Sequence, residues 1–124
     1  PRHSNGDKVK LLQRTLEKLI KDQNTSRMNI YLFQEAILSN EEMRDRFLVK
    51  YQTWRELIAR QISALFAISD PDNLASLGGV ILAVIDGLTI QYLLDQNSVD
   101  FQKVAKVLAD MLASVSAREQ GTEY

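Results

Sequence analysis

The stretch LASLGGVILAVIDGLTIQYLLD, Leu74 to Asp95, decides the fold because it is apolar on nearly every side. Its uninterrupted apolar run, Leu77 to Ile85, stops at Asp86. That run is about half of the roughly 20 apolar residues that a membrane-spanning helix needs. We therefore predict a soluble helix that is covered on both sides, in a protein with no membrane partner.

Helical spacing of apolar residues continues through the rest of the chain, and no segment alternates strictly as a strand would. We predict an all-α fold in which residues 1–124 form a single five-helix domain. The predicted helices cover residues 7–23, 27–38, 40–68, 71–94 and 98–117.

Polar residues at the breaks between these segments are typical of helix caps. The sequence SDPDN also places Pro71 at the first position of the fourth helix, where its missing N–H is not needed. The caps predicted for helices two to five are, in order, Thr25 or Ser26, Ser39 with Glu42 in a capping box, Ser69 or Asp70, and Asn97 or Ser98.

Composition excludes several classes of chemistry. The chain has no cysteine and a single histidine, His3, which lies in a polar leader. Disulfides, thiolate zinc sites, histidine metal clusters and Ser-His-Asp triads therefore cannot be built. The net charge of −1 gives no general attraction to nucleic acid. No paired carboxylates stand out among apolar residues, so we predict no enzyme activity, no metal and no cofactor.

Rows of small residues predict what covers the second side of the fourth helix. Such residues recur every four positions on the fourth and fifth helices, and they let another helix approach closely. We predict a two-fold homodimer in which the last two helices of each chain form a four-helix interface. The predicted interface residues are Gly79, Ala83, Gly87, Ala105, Ala109 and Leu112. The alternative is that the first three helices cover the fourth within one chain.

Three segments, taken in order, resemble the C-terminal, ligand-binding half of TetR-family transcriptional repressors. They are YLFQEAILSNEEMRDRFLVKYQTWRELIARQI (Tyr31 to Ile62), DPDNLASLGGVILAVIDGLTIQYLLD (Asp70 to Asp95) and SVDFQKVAKVLADML (Ser98 to Leu112). The most diagnostic positions follow the Asp70-Pro71 break and precede the final amphipathic helix. These positions are Ala83, Asp86, Gly87, Leu88 and Leu93.

The resemblance implies a cytoplasmic repressor whose last two helices pair with those of a second subunit. It also implies a pocket for a small, often apolar or amphipathic effector, whose binding releases operator DNA from two N-terminal helix-turn-helix domains. No such DNA-binding domain precedes Asp7. The resemblance therefore implies a regulatory domain of a longer repressor, one that binds no nucleic acid by itself.

Aromatic residues of the second and third helices are the candidate effector contacts, because small-molecule sites are mostly apolar with a few polar groups. The candidate ligand-binding residues are Phe33, Phe47, Tyr51, Trp54, Ile81 and Ile85. Asp86 is open to three interpretations: an anchor for a cationic effector, a pair with an arginine of the third helix, or a surface position beside the interface. The alternative function is a helical protein-interaction or scaffold module without a small-molecule pocket.

Overall fold

A computed structural model of the chain describes residues 4–121, and His3 lies outside that range. Within it the chain forms five α-helices and one short 3-10 turn, with no strand. The prediction of an all-α, five-helix fold is confirmed. The elements are α1 (Asn5–Ile20), α2 (Gln23–Leu38), α3 (Glu41–Phe66), α4 (Pro71–Leu94), the 3-10 turn (Gln96–Ser98) and α5 (Phe101–Glu119).

Aspartate and asparagine side chains cap four of these helices. Asp70 caps α4 with Pro71 directly after it, as predicted. The other predicted caps are wrong, because α2, α3 and α5 are capped by Asp22, Asn40 and Asp100 instead. Each break contains several adjacent capping residues, and periodicity does not decide which of them ends the extended segment.

Two groups of buried side chains form the core. The first joins α1, α4 and α5 around Leu16 and Ile20 of α1. The second joins the end of α3 to α5 around Phe66 and Leu112, together with Ile68 in the α3–α4 connection. By contrast, α2 packs mainly against α3 at the edge of the domain.

Close packing of α3 on α4 depends on Gly78. A Cβ atom at this position would lie 2.6 Å from the backbone oxygen of Arg55, which is closer than real Cβ atoms approach. The α4 backbone therefore crosses α3 at a distance that any larger residue would increase. This crossing brings the middle of α4 beside the face of α3 that carries its aromatic residues.

The apolar helix α4 is only partly covered by its own chain. By length and composition it could cross a membrane, a test that core helices of soluble proteins also pass, yet only 22% of its most apolar window is buried. Val80 and Ile90 are each 48% exposed, and Leu94 is 82% exposed. Within residues 4–121, therefore, the first three helices leave one side of α4 open.

Candidate functional site

Four aromatic side chains form a continuous layer between α2 and α3. Ring centroids lie 4.5 Å apart for Phe33 and Phe47, 5.5 Å for Phe33 and Tyr51, and 5.3 Å for Tyr51 and Trp54. All four side chains are partly buried. This aromatic layer contains four of the six predicted ligand-binding residues, and tilted ring pairs at these distances attract each other.

The layer forms because of helical spacing and a contact at the end of α2. Phe47, Tyr51 and Trp54 follow one another at four and three residues, which places them on one face of α3. The Arg44 guanidinium, on the same helix, donates hydrogen bonds to the backbone oxygens of Ala36 (3.1 Å) and Ile37 (3.3 Å). These bonds satisfy carbonyl groups of the last turn of α2 and hold that helix against α3.

A hydrogen bond connects the aromatic layer to α4. The Tyr51 hydroxyl donates to Oδ2 of Asp86 at 2.5 Å. Burial raises the pKa of the Asp86 carboxyl, and the bond from Tyr51 acts in the opposite direction. Burial also raises the pKa of Tyr51, and the neighbouring Asp86 adds to that rise.

Asp86 has no cationic partner among the ion pairs formed by residues 4–121. The predicted possibility of a pair with an arginine of the third helix is therefore wrong, and a tyrosine of that helix takes its place. Sequence reasoning missed this contact because Tyr51 and Asp86 are 35 residues apart, and no local pattern relates them.

The other two predicted ligand-binding residues are partly buried on α4, beside the core. Ile81 and Ile85 pack against the buried group around Leu16 and Ile20. Successive residues of an α-helix point about 100° apart, so Asp86 can face α3 while Ile85 faces the core. The structure therefore offers four rings and one tyrosine–carboxylate pair as the candidate effector site.

A separate groove of about 490 Å³ lies between α3 and α4, outside the aromatic layer. It opens to solvent and contains two arginines and a glutamate, which do not suit an apolar effector. We therefore do not assign the effector to it. The groove is lined by Gln52, Arg55, Glu56, Ala59, Arg60 and Ala75.

An exposed apolar surface extends over α4 and α5. Between the two helices lies a cleft of about 440 Å³ whose lining is almost entirely apolar. Large side chains beside it remain exposed, including Val107 at 57% and Met111 at 55%. We call this region the α4–α5 surface, defined by Leu77, Val80, Ile81, Val84, Ile90 and Leu94 of α4 and Val104, Val107, Met111 and Val115 of α5.

The predicted interface residues differ in how far their own chain buries them. On α4, Ala83 is exposed, whereas Gly79 and Gly87 are partly buried. A Cβ at Gly87 would meet nothing within 4 Å.

On α5, the predicted residues Ala105, Ala109 and Leu112 are buried within the chain itself, and Leu112 also lines the cleft between α4 and α5. Ala105 and Ala109 thus serve close packing inside the subunit. An interface on this helix would use its exposed neighbours Val107 and Met111.

Comparison with known proteins identifies the family. A family model described as the C-terminal domain of BetI-type transcriptional repressors matches residues 9–117, from the first helix to the last. Searches of curated proteins and of solved structures gave no match. The matched range contains the aromatic layer and the α4–α5 surface. The chain therefore belongs to the BetI-type C-terminal domains of TetR-family transcriptional regulators.

Proposed function

We propose that this chain is the regulatory domain of a cytoplasmic, TetR-like transcriptional repressor. It dimerises through the α4–α5 surface and binds a small apolar or amphipathic effector at the aromatic layer. Effector binding then controls how an N-terminal helix-turn-helix domain of the full repressor holds its operator. Membership of a family of transcription regulators supports this role and a function without catalysis.

The exposed apolar character of the α4–α5 surface carries the dimer proposal. From Leu74 to Leu94 the only charged residue is Asp86, which is directed towards Tyr51 of the same chain. Contiguous apolar patches on a soluble protein mark interaction sites. Full burial of each large apolar side chain contributes roughly 1.5–3 kcal/mol, so a second copy covering this surface would gain substantial free energy.

Sedimentation velocity over a dilution series tests the dimer. The variant Met111→Glu places a charge on the α4–α5 surface, and we expect it to shift the protein to monomers with unchanged helix content. Ala113→Glu is the matched control, because Ala113 is an exposed residue of the same helix outside the cleft. A wild-type protein that remains monomeric at high concentration would contradict the proposal.

The effector proposal depends on the half-buried state of the aromatic layer. Four rings offer an apolar surface, and the Tyr51–Asp86 pair offers a polar group at its edge. Pockets for small amphipathic molecules combine these two elements. A molecule that inserts here would touch α2, α3 and, through Asp86, the helix that we assign to the subunit interface.

Trp54 is the only tryptophan in the chain and lies in the layer, so its fluorescence reports on the site. Decanol, decanoate and decyltrimethylammonium share one alkyl chain and differ in the charge of the head group. We expect at least one of them to change Trp54 emission and raise Tm, because a ligand that binds only the folded state stabilises it.

The variant Phe33→Ala should weaken that response. Tyr31→Ala is the control, since Tyr31 lies on the same helix but is 62% exposed. A dimer that responds to none of the three compounds would contradict the effector proposal. It would favour the alternative of a protein-interaction module.

A further inference from the structure

One carboxylate joins the end of α5 to the start of α4. Oε1 of Glu119 accepts hydrogen bonds from the backbone N–H groups of Ser69 at 2.8 Å and Asp70 at 3.2 Å. Oε2 accepts a hydrogen bond from the side-chain amide of Asn73 at 2.8 Å. We call these three bonds the Glu119 clasp. They connect positions 46 to 50 residues apart in the chain.

The clasp uses N–H groups that the helix cap does not satisfy. The Asp70 side chain accepts from the backbone N–H groups of Asp72 and Asn73, inside α4. Glu119 accepts from the two N–H groups that precede the helix. The hydrogen bonds from Asn73 and Ser69 lower the pKa of the Glu119 carboxyl, so the ionised form is the one that the clasp holds.

The opposite ends of α4 and α5 are joined in a different way. There the chain itself connects them through the 3-10 turn, and the Ser98 hydroxyl donates to the backbone oxygen of Gln91 at 2.9 Å. The rings of Tyr92 and Phe101 also meet, with centroids 5.8 Å apart. The two helices are thus fastened at both ends, whereas the apolar cleft separates their middle sections.

We propose that Glu119 is a positioning residue for the subunit interface, because its clasp sets the spacing of α4 and α5 and hence the width of the cleft between them. This inference rests on the proposed dimer. Interfaces of stable oligomers are packed as tightly as protein interiors. A change in the separation of two helices that share one interface therefore weakens association without removing any contact residue.

The test compares variants that break the clasp with one that changes charge alone. Glu119→Ala removes all three hydrogen bonds. Glu119→Gln keeps one acceptor oxygen, and Asn73→Ala removes a single bond. Asp110→Asn is the matched control, because Asp110 is an exposed acid on the same helix that forms an ion pair with Lys106 and takes no part in the clasp. Dimer dissociation constants come from sedimentation, and helix content comes from circular dichroism.

Two further measurements separate positioning from general stability. Amide hydrogen exchange at Ser69 and Asp70 reports whether the clasp has opened. The chain has no cysteine, so a spin-label pair at Val80→Cys and Met111→Cys reports the width of the cleft. Val80 and Met111 lie at the proposed interface, where spin labels would disturb the dimer. The distance between the two labels is therefore measured in monomeric protein, once with Glu119 present and once in the Glu119→Ala variant.

We expect Glu119→Ala to raise the dissociation constant about tenfold, the size of a modest coupling between contacting residues. In the same variant we also expect faster amide hydrogen exchange at Ser69 and Asp70, a changed distance between the spin labels and unchanged helix content. Asp110→Asn should behave as wild type. If Glu119→Ala fails to fold, Glu119→Gln and Asn73→Ala provide the same comparison with smaller expected effects.

An unchanged dissociation constant with accelerated exchange at Ser69 and Asp70 would overturn the inference and leave the dimer proposal standing. Exchange at the wild-type rate in Glu119→Ala would overturn it too, because the clasp would then not protect these amides. A wild-type monomer would contradict the proposed dimer itself, and the positioning role with it.

Discussion

Helices α5 and α2 both carry many apolar residues, but they differ in how much of each helix is buried in the domain. Six residues of α5 are buried, from Phe101 to Ser116, whereas α2 buries only Ser26 and Ala36. Structural elements with few buried contacts open at low free-energy cost, and ligand-binding regions are commonly drawn from such elements. We infer that α5 contributes most to the stability of the domain. In contrast, α2, which lies next to the aromatic layer, can move at a lower free-energy cost.

The largest expected effect comes from truncating the buried side of α5. Leu112 is 2% exposed, and Leu112→Ala should lower the free energy of unfolding by about 2–5 kcal/mol, the usual range for a buried leucine. Ile37 of α2 is 70% exposed, and Ile37→Ala should change the free energy of unfolding by less than about 0.5 kcal/mol. Urea denaturation at one protein concentration measures the free energy of unfolding of both variants. Equal losses of stability would contradict the proposed difference between α5 and α2.

A smaller effect is expected where α4 crosses α3. Gly78→Ala should destabilise by roughly 1–3 kcal/mol, because the new Cβ would force the two helices apart. In the same helix, Gly87→Ala should stabilise by up to about 1 kcal/mol through higher helix propensity, since nothing lies within 4 Å of its Cβ.

Thermal unfolding of both glycine variants in the Met111→Glu background, which we expect to be monomeric, measures these effects. In the dimer, Gly87→Ala would instead report how closely the partner approaches. Destabilisation by Gly87→Ala in the monomer would show that α4 is covered there by its own chain.

The Tyr51–Asp86 hydrogen bond should contribute less to the free energy of unfolding than the packing of α4 on α3. Tyr51→Phe leaves a half-buried carboxylate without its donor, so we expect destabilisation of about 1 kcal/mol, the net value of a typical hydrogen bond. Asp86→Asn keeps an acceptor for the tyrosine and removes the charge that burial disfavours. We therefore expect its stability at pH 7 to equal or exceed that of wild type. A large loss in Asp86→Asn would show that the negative charge itself is required.

The smallest expected effects are changes of stability with pH. Asp86 and Glu119 should change the stability of the fold in opposite directions. The folded-state pKa of Asp86 is raised, so its charge opposes folding at neutral pH, and that penalty disappears as pH falls below the ordinary aspartate range. The folded-state pKa of Glu119 is lowered, so its contribution is present above the ordinary glutamate pKa and is lost as pH falls through the folded value.

The measurement is Tm between pH 3 and 7 for Asp86→Asn and Glu119→Gln, each compared with wild type. Relative to wild type, Asp86→Asn should lose its advantage on acidification, and Glu119→Gln should lose its disadvantage. Parallel curves for the two variants would contradict the opposite signs.

Periodicity was sufficient for the local part of this structure. Apolar spacing predicted five helices, and the residues around Asp70 and Pro71 predicted the start of α4. Spacing on α3 also brought Phe47, Tyr51 and Trp54 to one face. These features depend on residues within a few turns of each other, which a single sequence displays directly.

The tertiary contacts could not be predicted in this way. The row of small residues on α5 looked the same as the row on α4, yet Ala105 and Ala109 pack inside the subunit. Which face of a helix meets its own chain depends on crossing angles that periodicity does not fix. For the same reason neither the Tyr51–Asp86 bond nor the Glu119 clasp had any signal in the sequence.

The packing of α1 against α5 also bears on how the protein is made. Of the five helices described, α1 leaves the ribosome before the others, but the core around Leu16 and Ile20 requires Phe101 and Leu108, which are synthesised much later. Contacts between distant parts of a chain close slowly, since the intervening loop must be ordered first. The domain therefore completes its core only after synthesis of α5, and the α4–α5 surface becomes available to a second copy only then.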